Sequence, residues 1–164
     1  MEDISLPSCK DCIQWIIENN FAAEKATSLN LMICSPGGDM SAAFALIDIM
    51  KGSSIPINTI GIGEIASAGL LIFLSGQKGG RILTPNTSIL SHQYSWGSSG
   101  KHHELISCGK EVDLIYKRMM NVYKKSTKLK EDEIKKLLLP PHDVWLDSKE
   151  ALKYGICDVV KELN

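Results

Sequence analysis

Two side chains stand out as able to do chemistry together. Ser67 sits among small residues in Gly63-Glu64-Ile65-Ala66-Ser67-Ala68-Gly69, and His92 closes the apolar segment Ser88-Ile89-Leu90-Ser91-His92-Gln93. A serine hydroxyl is a weak nucleophile until a base takes its proton, and the base needs a partner to orient it. Of the four histidines, His92 is the best placed, at the end of an apolar strand. His102 and His103 read as a solvated pair, and His142 follows two prolines in a loop. Spacing leaves Asp143, Asp147 and Asp158 open as the orienting acid, although Asp147 already looks like a helix cap. Nucleophilic acyl transfer is the chemistry such a set could run. The plainer reading of the Ser67 stretch is a small-residue packing site between helices.

Positioning these groups falls to the elements around them. The apolar, β-branched run Ile57 to Ile62 predicts a buried strand ending at Gly63. Ser67 then falls at or just inside the start of a buried helix, where unpaired N–H groups and the positive dipole end suit an oxyanion. Upstream, Ser8 predicts the cap of a helix running to about Asn20, and Leu29 to Cys34 reads as a strand ending in Ser35-Pro36-Gly37-Gly38. Asp39 opens a second helix with Met40, Ala43, Phe44, Ile47 and Met50 at helical spacing. The first half therefore alternates helix and strand, as in a parallel sheet with crossover helices.

Downstream, strands are expected at Arg81 to Leu83 and at Ser88 to about Gln93. Leu105, Cys108, Val112, Ile115, Met119 and Val122 predict a long amphipathic helix over about Lys101 to Lys125. At 1.5 Å per residue it would extend about 37 Å, more than this chain's own core requires, which leaves it free to pack on another subunit. A short charged helix over Lys130 to Leu138 stops at Pro140-Pro141. Asp147-Ser148-Lys149-Glu150 predicts a capping box for a helix ending at Tyr154, with Gly155 beyond it and a last strand at Ile156 to Val160.

Composition narrows the classes. With 164 residues, 44% hydrophobic and 23% charged, the chain reads as one globular domain over residues 1–164. A formal net charge of −1 gives no electrostatic case for nucleic acid or an acidic membrane. No signal-peptide pattern opens the chain, and the longest uncharged apolar stretch, Ile65 to Gly76, falls short of the roughly 20 residues a membrane span needs. A cytoplasmic protein is the expectation. Five cysteines are an odd number, Cys34 and Cys157 sit in strand-like contexts as small buried hydrophobes, and Cys9-x-x-Cys12 lacks a second pair for zinc. Reduced thiols are expected, with no metal.

Four segments in order resemble the Clp protease proteolytic subunits, the ClpP-like serine peptidases. They are Ser35-Pro36-Gly37-Gly38, Ala66-Ser67-Ala68-Gly69, Leu83-Thr84-Pro85-Asn86 through Ser91-His92-Gln93, and Asp143-Val144-Trp145-Leu146 followed by Glu150 to Gly155. The resemblance implies an α/β fold, a ClpP/crotonase-type spiral of βαβ units with a protruding long handle helix, the handle region covering about 93–127. It places Ser67 on the nucleophile, His92 on the base and Asp143 on the orienting acid. Gly38 and Ala68 fall on the backbone N–H donors of the oxyanion hole. It further implies a serine endopeptidase that cleaves peptides or unfolded polypeptides inside a homo-oligomer of heptameric rings, stacked as a tetradecamer. The peptidase itself needs no cofactor; ATP enters only through a separate Clp-type ATPase.

The chain departs from the family at two places. Tyr94 stands where a proline usually follows His-Gln, and only Met1 to Pro7 precede the first helix, where the family has an axial loop and a first strand. The shortened N-terminus sets the expectation of a peptidase that cleaves short peptides unaided and gains little from an unfoldase. Two alternatives compete: a catalytically inactive structural subunit of such a barrel, and a crotonase-like acyl-CoA enzyme, which shares the spiral fold but needs no Ser-His-Asp set.

Overall fold

The computed structural model describes residues 2–163. Its order is α1 (Leu6–Phe21), β1 (Leu29–Ser35), α2 (Met40–Gly52), β2 (Ile57–Ala66), α3 (Ala68–Leu74), β3 (Arg81–Leu83), β4 (Ser88–Ser91), α4 (His102–Ser126), α5 (Glu131–Leu137), β5 (Val144–Leu146), α6 (Ser148–Tyr154) and β6 (Val159–Val160). The α/β alternation expected of the first half is present. Its strands pair in parallel, as strands joined by crossover helices do.

β2 is the axis of the six-stranded sheet. One edge pairs with β1, from Leu29↔Ile57 to Ser35↔Ile65. The opposite edge pairs first with β3 (Thr59↔Arg81 to Gly61↔Leu83) and then with β4 (Glu64↔Ser88 to Ala66↔Leu90). Between these partners the β1 register jumps from Ile33↔Gly61 to Ser35↔Ile65, so β2 carries extra residues there. Gly63, with φ +64°, supplies the left-handed conformation that this bulge requires. The sequence reading ended the strand at Gly63; the strand instead runs through the bulge to Ala66. β5, three residues long, was not foreseen and joins β4 antiparallel.

The helix ends follow cap chemistry. Ser5, rather than Ser8, caps α1: the Ser5 hydroxyl accepts from the Ser8 N–H while the Ser5 N–H donates to Ser8 Oγ. Asp39 caps α2 by accepting from the Ala42 N–H at 2.8 Å. Asp147 and Glu150 form the expected capping box at α6, which Gly155 ends in the αL conformation. Strand β4 stops at Ser91, and β6 covers only Val159–Val160, both shorter than the sequence suggested.

α3 lies wholly buried, as its uncharged sequence requires, and packs on α2 and β2. The long helix divides in two. Ile115, Met119, Met120, Val122 and Tyr123 are buried in the core, whereas Leu105, Ile106 and Leu114 near its start are exposed. The apolar seam read from the sequence is thus consumed by the chain's own core in its second half only. Residues 93–101 carry no regular secondary structure. Among the described residues, no helix is long and apolar enough to cross a membrane.

All five cysteines are free thiols. Cys157 is buried, and that burial pushes its thiol up to about 11. Cys34 is only half-buried, a correction to its reading as a core residue. With Cys9 and Cys12 it lines a small cleft between α1 and β1. Among the described residues, no group of three or more His, Cys, Asp or Glu side chains is placed to hold a metal ion.

Candidate active site

Ser67 occupies the single junction between β2 and α3, and its backbone is the unusual one. At φ 54° and ψ −121° it is the one non-glycine residue with positive φ among those described. Such a conformation costs of order 1–3 kcal/mol and persists only where the surroundings impose it. Here they do: the Ser67 N–H donates to the Leu90 carbonyl at 3.0 Å, and its own carbonyl accepts from the Leu70 and Leu71 N–H groups. The strained turn raises the serine out of the sheet at the start of a helix, the logic of a nucleophile elbow without its usual spelling.

The glycine loop after β1 lies directly against this turn. A Cβ on Gly37 would come within 2.6 Å of the Ser67 Cβ and 3.2 Å of the Ala68 nitrogen, so only glycine fits. The Gly37 N–H is taken by Ser35 Oγ at 3.2 Å. Gly38 makes a parallel bridge with Ile4, whose N–H donates to the Gly37 carbonyl at 2.7 Å and whose carbonyl accepts from the Asp39 N–H at 2.8 Å. Among the described residues, neither the Gly38 nor the Ala68 N–H has a backbone acceptor. Ala68 follows Ser67 at the start of α3, and Gly38 follows the Gly37 that lies against the serine. Ile4 was missed by the sequence reading; nothing in Asp-Ile-Ser marks a single-residue bridge.

His92 follows β4 directly. The antiparallel register runs Ile89↔Leu146, Leu90↔Trp145, Ser91↔Val144, and His92 and Asp143 are the residues next to its last pair. Both line a cavity of about 510 Å³ together with Leu90, Gln93, Tyr94, Pro140 and His142. The other two acids are occupied elsewhere. Asp147 Oδ1 accepts from the Glu150 N–H at 2.8 Å. Asp158 accepts from the Arg81 guanidinium at 2.6 and 2.9 Å and from the Gly79 N–H at 2.8 Å. Burial alone would raise the Asp158 pKa, but the Arg81 hydrogen bonds outweigh it and hold the carboxyl below its ordinary value.

The arrangement is therefore partly assembled. His92 and Asp143 share a cavity, and Ser67 reaches its wall through the backbone bond to Leu90. No hydrogen bond joins the Ser67, His92 and Asp143 side chains, and Ser67 does not itself line that cavity. His102 and His103 are exposed at the start of α4, away from this group.

The comparisons with known proteins bear on the family. The Clp protease family model matches residues 14–164. The ATP-dependent Clp protease proteolytic subunit of Streptococcus mutans is 33% identical over 148 residues, 87% of this chain and 73% of that protein. The subunit of the same description from Paracoccus denitrificans is 33% identical over 135 residues, covering 82% of this chain and 67% of its own. That of Deinococcus radiodurans is 33% identical over 132 residues, covering 80% and 64%. On the family match, the identities and the fold together, the chain belongs to the Clp protease family.

Proposed function

We propose that this protein is a serine endopeptidase in which Ser67 is the nucleophile, His92 the general base and Asp143 the acid that orients it. The observation that supports the reading is that His92 and Asp143 adjoin the last β4–β5 pair and line one cavity, next to the strand whose Leu90 carbonyl holds Ser67. His92 takes the hydroxyl proton as Ser67 Oγ attacks the peptide carbonyl. The tetrahedral oxyanion is held by the Gly38 and Ala68 N–H groups, neither of which has a backbone acceptor of its own. His92 then gives its proton to the leaving amine, and water repeats the cycle on the acyl-enzyme. None of these steps uses a cofactor. The segment after His92, whose Gln93, Tyr94 and Ser95 line the cavity, would take the substrate backbone by strand addition.

The same reading includes a ring-shaped homo-oligomer. Its support is the first half of α4, where the apolar Leu105, Ile106 and Leu114 are exposed. A Clp-type ATPase would supply unfolded polypeptide to such rings.

The test is labelling with a fluorophosphonate probe and mapping of the modified residue. The expected result is modification at Ser67, abolished together with peptide cleavage in Ser67→Ala. Undiminished labelling of Ser67→Ala would remove the assignment.

A further inference from the structure

His92 is bracketed by two residues that reach the same short stretch of chain. Ser91 Oγ lies 2.6 Å from the Leu138 carbonyl, and Gln93 Nε2 donates to the Leu139 carbonyl at 2.9 Å. Leu138 and Leu139 are buried, and their N–H groups both donate to the Ile134 carbonyl, at 2.9 Å each. This stretch is thus fixed to α5 on one side and to the end of β4 on the other. Pro140 and Pro141 follow, offering no N–H and little backbone freedom, and then His142 and Asp143. Whatever fixes Leu138 and Leu139 therefore fixes where Asp143 enters the cavity.

A third element closes the arrangement. Tyr123, on the buried half of α4, has its hydroxyl 2.7 Å from Ser91 Oγ. Geometry alone allows either oxygen to be the donor, but the Leu138 carbonyl can only accept. The single Ser91 proton goes there, so Tyr123 must donate to Ser91. Burial pushes the Tyr123 phenol up to about 12, still further above neutral pH than its ordinary value. Both hydroxyls are fully enclosed, where an unpaired polar group is costly.

We propose that Ser91 and Tyr123 are positioning residues for the His92–Asp143 pair, a buried chain from Tyr123 through Ser91 to the Leu138 carbonyl clamping the end of β4 to the segment that delivers Asp143. The proposal rests on the reading of His92 and Asp143 as base and acid. Nothing in the polarity of Ser91 predicts it from sequence, since a serine inside an apolar strand reads as a tolerated small residue.

The experiment compares wild type with Ser91→Ala, Tyr123→Phe and a control core truncation, Ile55→Val, by peptide cleavage, thermal melting and amide exchange. Ser91→Ala should lower kcat by up to about 100-fold, as misplacement of a catalytic group does, with KM changed less than about twofold. Tyr123→Phe, which removes one oxygen, should lower kcat by about threefold to tenfold. Ile55→Val should melt earlier but keep its kcat. Losses of kcat in the two clamp variants no larger than in the control would overturn the proposal. Should Ser91→Ala fail to fold, Tyr123→Phe decides by the same criterion. Absence of Ser67 labelling in the wild type would instead defeat the peptidase reading. The clamp is then judged on exchange at residues 142–144, where faster exchange in the variants supports it and unchanged exchange overturns it.

Discussion

Gly37 touches Ser67 so closely that a methyl group there would come within 2.6 Å of the serine Cβ. Gly37 also holds φ +102°, a conformation other residues rarely adopt. Gly37→Ala therefore meets two penalties at once, strain and collision with the Ser67 Cβ. The expected outcome is loss of peptide cleavage, with destabilisation of about 1–3 kcal/mol. Cleavage assays and denaturant melts on the variant check it; near-wild-type activity would contradict the proximity.

Ser67 is held at φ 54° by its neighbours. Glycine accepts that conformation freely, alanine does not. Ser67→Gly and Ser67→Ala should both be inactive, but only Ser67→Gly should gain stability, by about 1 kcal/mol. Paired thermal melts distinguish them, and equal melting temperatures would mean that the turn carries no strain.

His92 and His142 line the same cavity, yet only His92 sits beside the strand end that binds Ser67. His92→Ala should reduce kcat/KM by several orders of magnitude, about 10⁴-fold, as removal of a triad member does, whereas His142→Ala should leave most activity. The reverse ranking in a peptide assay would reassign the base.

Arg81 and Asp158 form a buried ion pair, their side chains 6% and 17% exposed. Asp158→Ala strands the guanidinium and should cost about 3–5 kcal/mol. Because the folded carboxyl lies below its ordinary value, its contribution is fully present above the unfolded value near about 3.9 and is lost as pH falls through the lower folded value. Wild type should thus lose stability below about pH 4. Asp158→Asn should be weaker at neutral pH and lose less on acidification. Urea melts across pH 2–7 test this, and parallel profiles would exclude the linkage.

The two halves of α4 should respond differently to charge. Ile115 and Met119 are 5% and 4% exposed, so a glutamate at either site should unfold the chain. Leu105 and Ile106 are 40% and 62% exposed, so Leu105→Glu with Ile106→Glu should leave the subunit folded and dissociate the oligomer. Analytical ultracentrifugation with circular dichroism reads both outcomes. A folded, fully assembled double variant would place the contact elsewhere.

Much of this fold is legible in the sequence because its main elements announce themselves locally. The β-branched run before Gly63, the apolar period of α2 and the capping box at Asp147 each depend on near neighbours in the chain. What escaped depends on distant partners. Val144-Trp145-Leu146 is a strand only because β4 lies beside it, and Ile4 pairs with Gly38 across the whole of α1. Gly63 read as the end of a strand, yet here three neighbouring strands carry β2 on through the bulge at Gly63 to Ala66. Ser67 was visible from its small neighbours. Spacing leaves Asp143, Asp147 and Asp158 level, and only the folded chain separates them, since Glu150 engages Asp147 and Arg81 engages Asp158.

The central place of β2 also has a consequence for biosynthesis. On a ribosome, β1 and β2 emerge close together and can pair at once, but the far edge of β2 stays bare until residues 81–91 follow. The outer edge of β3 waits longer still, for Val159 and Val160. A nascent chain therefore carries an unpaired strand edge while residues 84–158 are made, the kind of surface that draws in other chains. Synthesis rate and chaperone supply, rather than the stability of the finished fold, should then govern how much of this protein reaches its native state.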